Sequence, residues 1–447
     1  VRPWNKAGWY ERFEDQNGKG RASAVFHFGE KPTISVGSGI GLQARRAIFP
    51  QMRFLRNIVC HMFVALIVSC GTAFAAPHLI VDMKSGKVLS RQQEFDRWYP
   101  ASLTKLMTAY VAFKEVKSGR ISLSSPVKIT AEALSRPPSK MGFPEGSILT
   151  VDAALKLLMV KSANDVATAI AESVAGSEPA FVQLMNAAAQ RLGMRDTRFV
   201  NPHGLFDPGQ YTTARDLAIL TIAIRSEFPG YAGYFAIPAV KVGKKLLRNH
   251  NPLLQRFDGT TGMKTGFVCA SGLNIVATVK RNGKELVAVV LGGPTGRERN
   301  VRAARLLTEA FSKNSFLSTA RIDTMRPSGP VNRMPTDMRD EVCGKKKRVT
   351  ESGEDEPASA SFALAKPGQQ TLEELEAIYL KPKGANTRVI AVSLGNATGP
   401  DPYGLLGGKA EESLTAFIPE ETASAPWPIV PGTKGLRVPV PEPSPRQ

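Results

Sequence analysis

Leu103, Leu106, Met107, Tyr110 and Val111 recur at the spacing of a single helix face. They predict an amphipathic helix from about Ser102 to about Lys117, with Pro100 suited to its entry. Upstream, the β-prone runs His78–Asp82 and Lys87–Ser90 flank Lys84-Ser85-Gly86 and read as a hairpin. Residues 118–150 are broken by Gly119, Pro126, Pro137, Pro138, Gly142, Pro144 and Gly146, which leaves loops and short strands. Thr150-Val151-Asp152 opens a second helix, with Leu155, Leu158 and Met159 on its apolar face. Beyond Lys161-Ser162-Ala163-Asn164-Asp165 another helix carries the stripe Val166, Ile170, Val174. Helices follow over about Pro179 to Leu192 and from Thr213 to about Ile224, with a loop at Asn201-Pro202-His203-Gly204-Leu205 between them.

Strands return near Thr260, with Gly262–Val268, Gly272–Lys280 and Glu285–Leu291. Asn282-Gly283, a strong hairpin turn, joins the last two. A closing helix spans about Glu298 to Phe311, its apolar face formed by Val301, Ala304, Leu307 and Phe311. The expected architecture is α+β. The N-terminal hairpin and the C-terminal meander form one five-stranded antiparallel sheet, with flanking helices and a helical insert.

The ends read differently. Residues 1–51 have mixed charge and no sustained period, and are expected to be an upstream extension foreign to the protein. Met52-Arg53-Phe54-Leu55-Arg56 gives a basic head, Ile58 to Cys70 a short apolar run, and Ala73-Phe74-Ala75 a small-x-small site. Residues 52–75 therefore read as a secretory signal peptide. The run is short for a transmembrane anchor, while Ile67-Val68-Ser69-Cys70 resembles a lipobox, so a lipoprotein is the other reading. The domain expected between these ends is 76–312. Residues 313–447, with the basic run Lys345–Arg348, the acidic run Glu351–Glu356 and a Pro-rich end from Pro426, are expected to be a largely disordered tail, with local order at Thr371–Leu380 and Arg388–Leu394.

A formal net charge of +19 favours acidic partners, but no nucleic-acid-binding signature accompanies it, so nucleic acid is not expected. Processing after Ala75 leaves Cys269 and Cys343, either one disulfide or two free thiols. No Cys/His cluster has metal-ligand spacing, and neither a metal nor another cofactor is expected.

Three short motifs stand in order: Ser102-Leu103-Thr104-Lys105 on a helix, Ser162-Ala163-Asn164 between helices and Lys264-Thr265-Gly266 on a strand. Ser102 and Lys105 lie one turn apart on the same face, so the lysine can take the hydroxyl's proton if burial keeps it neutral. The set resembles the penicillin-recognising serine enzymes, over about Ala76 to Phe311. Tyr99–Thr108 and the run from His203 to Asp216 look most like the low-molecular-mass penicillin-binding proteins that are D-alanyl-D-alanine carboxypeptidases.

The resemblance implies a serine β-lactamase/transpeptidase-like fold. It implies Ser102 as nucleophile, Lys105 as its base and Ser162 as a proton relay to the leaving D-alanine. Asn164 would orient Lys105 and bind substrate backbone. Lys264, Thr265 and Gly266 would hold the peptide and its terminal carboxylate, and the N–H groups of Ser102 and Phe267 would form the oxyanion hole. Arg297, just after the last strand, is a candidate second carboxylate ligand, against the plainer reading of a solvated helix start. The implied partners are a peptidoglycan stem pentapeptide and β-lactams as covalent inhibitors, in the periplasm or on the outer face of the cytoplasmic membrane. A Pro-rich end cannot make the terminal amphipathic helix such enzymes often carry, which leaves only peripheral membrane contact open. Phe267 stands where some relatives have histidine. A class A β-lactamase would need an E-x-x-L-N loop before Lys264, and none occurs. A D,D-endopeptidase would share the same residues, and a non-catalytic wall-binding protein would not need them.

Overall fold

The central strands owe their burial to apolar residues on both faces. In a strand successive side chains point to opposite sides. Leu79 and Val81, Val276, and Val287, Val289 and Leu291 enter one buried cluster. Ile80, Ile275, Ala277 and Val279, and Ala288 and Val290 enter another on the opposite face. A sheet patterned this way needs cover on both sides, and the computed structural model supplies it. It describes residues 76–313, 318–327, 329–344, 370–382 and 387–407. The upstream extension and the signal-peptide reading lie outside the described residues.

The strands are β1 (His78–Asp82), β2 (Val88–Gln92), β3 (Pro126–Lys128), β4 (Ile148–Thr150), β5 (Ala239–Val242), β6 (Lys245–Arg248), β7 (Thr260–Val268), β8 (Gly272–Arg281), β9 (Lys284–Gly293) and β10 (Val389–Val392). The main sheet has the order β2-β1-β9-β8-β7 and its pairings are antiparallel. This is the predicted five-stranded sheet, and β7 is an edge strand.

The α-helices are α1 (Lys105–Lys117), α2 (Ala131–Ser135), α3 (Val151–Val160), α4 (Asn164–Ala175), α5 (Glu178–Arg191), α6 (Ala214–Glu227), α7 (Leu253–Arg256), α8 (Gly296–Ser312), α9 (Arg339–Cys343) and α10 (Leu372–Tyr379). Helices α1 to α6 contribute to the first cluster, and α8 covers the other face. The helix starts predicted at Thr150 and Thr213 hold. Thr150, Thr213 and Thr295 each accept an N–H from the third residue on, which satisfies a donor that the helix cannot.

Three features depart from the sequence reading. The helix expected from Ser102 begins as a 3-10 turn, Ala101–Thr104, and becomes α-helical at Lys105. A small sheet, β10-β5-β6, joins a stretch left unassigned, β5 and β6, to the Arg388–Leu394 region where local order was expected, with β10 parallel to β5. Beyond Ser312 local order was expected only at Thr371–Leu380 and Arg388–Leu394, where α10 and β10 form, whereas the described residues of 318–344 are also ordered against the body. Ile322, Met338 and Val342 are buried in the first cluster, Leu380 in the second, and Cys269 is bonded to Cys343.

Candidate active site

The 3-10 turn decides how Ser102 meets Lys105. With about three residues per turn, positions three apart eclipse rather than merely share a face. Lys105 Nζ lies 3.0 Å from Ser102 Oγ. It also lies 2.7 Å from Asn164 Oδ1 and 2.5 Å from the carbonyl oxygen of His203. Two of these partners only accept. A neutral amine has two N–H bonds and one lone pair. Donating both N–H groups to the two carbonyl oxygens leaves the lone pair for the Ser102 hydroxyl proton. The partner set thus suits the basic form of the lysine.

The electrostatics agree. Lys105 is wholly buried, and its pKa is lowered well below the ordinary lysine value, first by desolvation and then by the charge of Lys264, with Asp165 opposing. Asp165 is itself buried and accepts N–H groups from Met141, Gly142 and Val166. Lys264 is buried on β7 and donates to the Thr265 carbonyl at 2.9 Å.

Backbone conformation sharpens the placement. Ala101 has φ 47° and Ser162 φ 61°, both left-handed and uncommon for residues with a Cβ. Each costs of order 1–3 kcal/mol and is kept because its surroundings hold it. The first aims the turn carrying Ser102, and the second turns α3 into α4 and presents Asn164. Asn164 is anchored from behind: its side-chain amide donates to Pro137 O, and its N–H to Ser139 O.

Two glycines allow the close approaches. At Gly204, φ 88°, a Cβ would fall 2.0 Å from the Ala101 carbonyl oxygen. At Gly266 it would fall 2.9 Å from the backbone nitrogens of Ser102 and Leu103. The sequence reading tied Gly266 to an incoming peptide. In the structure its first duty is to let β7 lie against the Ser102 turn, which places the Ser102 N–H beside the strand that carries Phe267.

Ser102, Lys105 and Asn164 are thus brought into direct contact, with Ser162 two residues before Asn164. Lys264, Thr265, Gly266 and Phe267 lie on the edge strand packed against the Ser102 turn. Thr265 Oγ1 is buried without a hydrogen-bond partner.

Arg297, the candidate second carboxylate ligand, is placed apart from these contacts. At the start of α8 it is engaged by Glu376 and Glu373 of α10, so its guanidinium already faces protein carboxylates. Three contributors escaped the sequence reading: the His203 carbonyl, Gly204 as a spacer and Asp165 as counter-charge. A carbonyl has no side-chain signature, although His203-Gly204 stood within a recognised run. The His203 ring is neutral, its pKa lowered to about 2 by burial and by the charges of Lys105 and Arg136. Its Nδ1 accepts the Leu205 N–H.

A sheet with a helical insert and, at its edge, a serine paired with a buried lysine define an active-site-serine protein of the penicillin-binding kind. The D-alanyl-D-alanine carboxypeptidase family matches residues 67–295. The chain belongs to that family. It is 35% identical over 255 residues to the D-alanyl-D-alanine carboxypeptidase DacA of Haemophilus influenzae, covering 55% of this chain and 64% of that one. With DacB2 of Mycobacterium tuberculosis it shares 31% over 256 residues, covering 55% of this chain and 84% of the relative. Among solved structures, penicillin binding protein 5 from Haemophilus influenzae superposes with a TM-score of 0.51 at 33% identity, covering 55% of this chain and 72% of that one. The chain therefore spans slightly under two thirds of the Haemophilus DacA.

Proposed function

We propose that the protein is a serine-type D-alanyl-D-alanine carboxypeptidase that trims the terminal D-alanine from peptidoglycan stem peptides through an acyl-enzyme. The observation that carries this reading is the partner set of Lys105: two carbonyl acceptors and one hydroxyl around a fully buried amine. Such a lysine is a general base at neutral pH.

The substrate peptide extends antiparallel along the free edge of β7, as an added strand. Its terminal carboxylate lies by Lys264 and Thr265, whose buried hydroxyl has no protein partner. Lys105 takes the proton of Ser102 as the oxygen attacks the penultimate carbonyl. The charge that develops on that carbonyl oxygen is met by the N–H groups of Ser102 and Phe267. Ser162 relays that proton from Lys105 to the departing D-alanine nitrogen, aided by the field of Lys264, which returns Lys105 to its neutral form. Water, activated by Lys105, then frees the shortened peptide. No metal enters this scheme, and among the described residues no His, Cys, Asp or Glu group has metal-holding geometry.

β-Lactams mimic the same carbonyl and are expected to acylate Ser102 and leave slowly. The proposed setting is the periplasm or the outer face of the cytoplasmic membrane. Among the described residues no helix is long and apolar enough to cross a membrane. The test is one assay with two substrates, a stem pentapeptide and a cross-linked muropeptide. Release of free D-alanine from the pentapeptide supports the reading. Cleavage of the cross-link alone would make the protein an endopeptidase, and no release by either would refute the carboxypeptidase proposal.

A further inference from the structure

The Cys269–Cys343 bond joins two parts of the chain that meet at one end of β7. Cys269 lies in the turn between β7 and β8, three residues after Gly266, and Cys343 closes α9, with a sequence separation of 74. Around the bond the fit is close. The Met338 N–H donates to Ala270 O at 3.1 Å, and a Cβ at Gly272 would lie 2.8 Å from the Met338 sulfur. Met338 and Val342 are buried, so α9 is seated on the turn through its apolar side. The next residue, Arg339, is left half exposed, its guanidinium 4.2 Å from the centroid of the Phe206 ring. Phe206 packs edge-on against Tyr99, centroids 5.1 Å apart. Phe206 follows His203, whose carbonyl holds Lys105, and Tyr99 is three residues before Ser102.

Arg339 therefore lies against the loop that positions the base and beside the turn that ends the substrate strand. The phenol of Tyr99 registers this charge. Its pKa is raised by burial and by Asp337, and Arg339 opposes the rise. Asp337 pairs with Arg339 at 2.7 Å, both groups nearly half exposed. An ion pair that open to water is worth at most about 1 kcal/mol, so a substrate anion can replace the aspartate at little cost.

The direction of the peptide decides what meets this arginine. A strand added antiparallel to β7 with its carboxylate at Lys264 and Thr265 runs the rest of its length past Phe267 and Val268 toward Cys269. We propose that Arg339, held in place by the Cys269–Cys343 bond, is a specificity-determining residue that binds a carboxylate on the amino-terminal side of the scissile bond. This rests on the carboxypeptidase reading for the peptide's direction. It predicts a preference for stem peptides with a free acidic group upstream of the D-alanines, and loss of that preference when the bond is reduced.

The experiment compares two peptides ending in D-Ala-D-Ala, one with a free upstream carboxylate and one with that group amidated. Binding is measured calorimetrically to the Ser102→Ala protein, with and without Arg339→Gln, and turnover to the protein with Ser102 intact. Arg339→Gln is expected to weaken the acidic peptide about threefold to tenfold and to leave the amidated one unchanged. In turnover the change falls on KM rather than kcat. Reduction and alkylation of the protein, with circular dichroism confirming its fold, is expected to reproduce the same selective loss. Equal weakening of both peptides, or no change in either, overturns the proposal. If neither peptide is turned over, the carboxypeptidase reading fails, while the ratio of the two binding constants still judges Arg339.

Discussion

At the scale of single residues, protonation of one buried amine governs the chemistry. Lys264 pushes the pKa of Lys105 down, so the two ammonium groups are in opposition. Removing the positive charge at position 264 with Lys264→Gln relieves that repulsion and raises the pKa of Lys105. More of the base is then protonated at a given pH, and the acid limb of the acylation rate moves to higher pH. The check is the pH profile of penicillin acylation in the two proteins. A lower rate with an unmoved limb would mean that Lys264 acts only in binding. His203 adds no limb of its own near its ordinary value, because its ring stays neutral down to about pH 2.

At the scale of elements, the site depends on three backbones meeting: the Ser102 turn, the His203 loop and β7. Gly204→Ala would force a Cβ to within 2.0 Å of the Ala101 carbonyl oxygen at a left-handed φ. The turn must shift, and a displacement of about 1 Å at a nucleophile costs on the order of a hundredfold in rate. Stopped-flow acylation by a chromogenic β-lactam measures it, and an unimpaired rate would show that the turn is held by other contacts. The same elements show what the sequence could tell. The Asn282-Gly283 turn announced the β8–β9 hairpin, and Leu155, Leu158 and Met159 announced the apolar face of α3, because these are local signals. The contact between Gly204 and Ala101 is between residues about a hundred positions apart, and nothing local marks it. The small sheet was unreadable as a sheet for a related reason, although local order was expected around β10. Its strands are four residues each, and two of them are largely exposed, so no apolar period stands out. The pairing of Arg297 with Glu376 was unreadable because the two residues lie 79 positions apart in the chain.

At the scale of the molecule, the C-terminal segments act as fasteners. Glu376 of α10 is held by Arg256 at 2.6 Å and by Arg297, which joins α7 to α8. The Cys269–Cys343 bond closes a long loop, and a loop of this length restricts the unfolded chain by about 4 kcal/mol on the chain-entropy account. Reduction is therefore expected to lower the melting temperature by several degrees in differential scanning calorimetry. An unchanged transition would mean that α9 detaches without involving the sheet.

The central claim is that a hydroxyl on the 3-10 turn is made nucleophilic by Lys105 where β7 packs against that turn. Peptide mass mapping after penicillin treatment tests it most directly, run on the wild type and on Lys105→Gln. The account predicts one penicilloyl adduct, on the peptide containing Ser102, and its loss or drastic slowing in the variant. An adduct on another residue, or full labelling of Ser102 without Lys105, would contradict it.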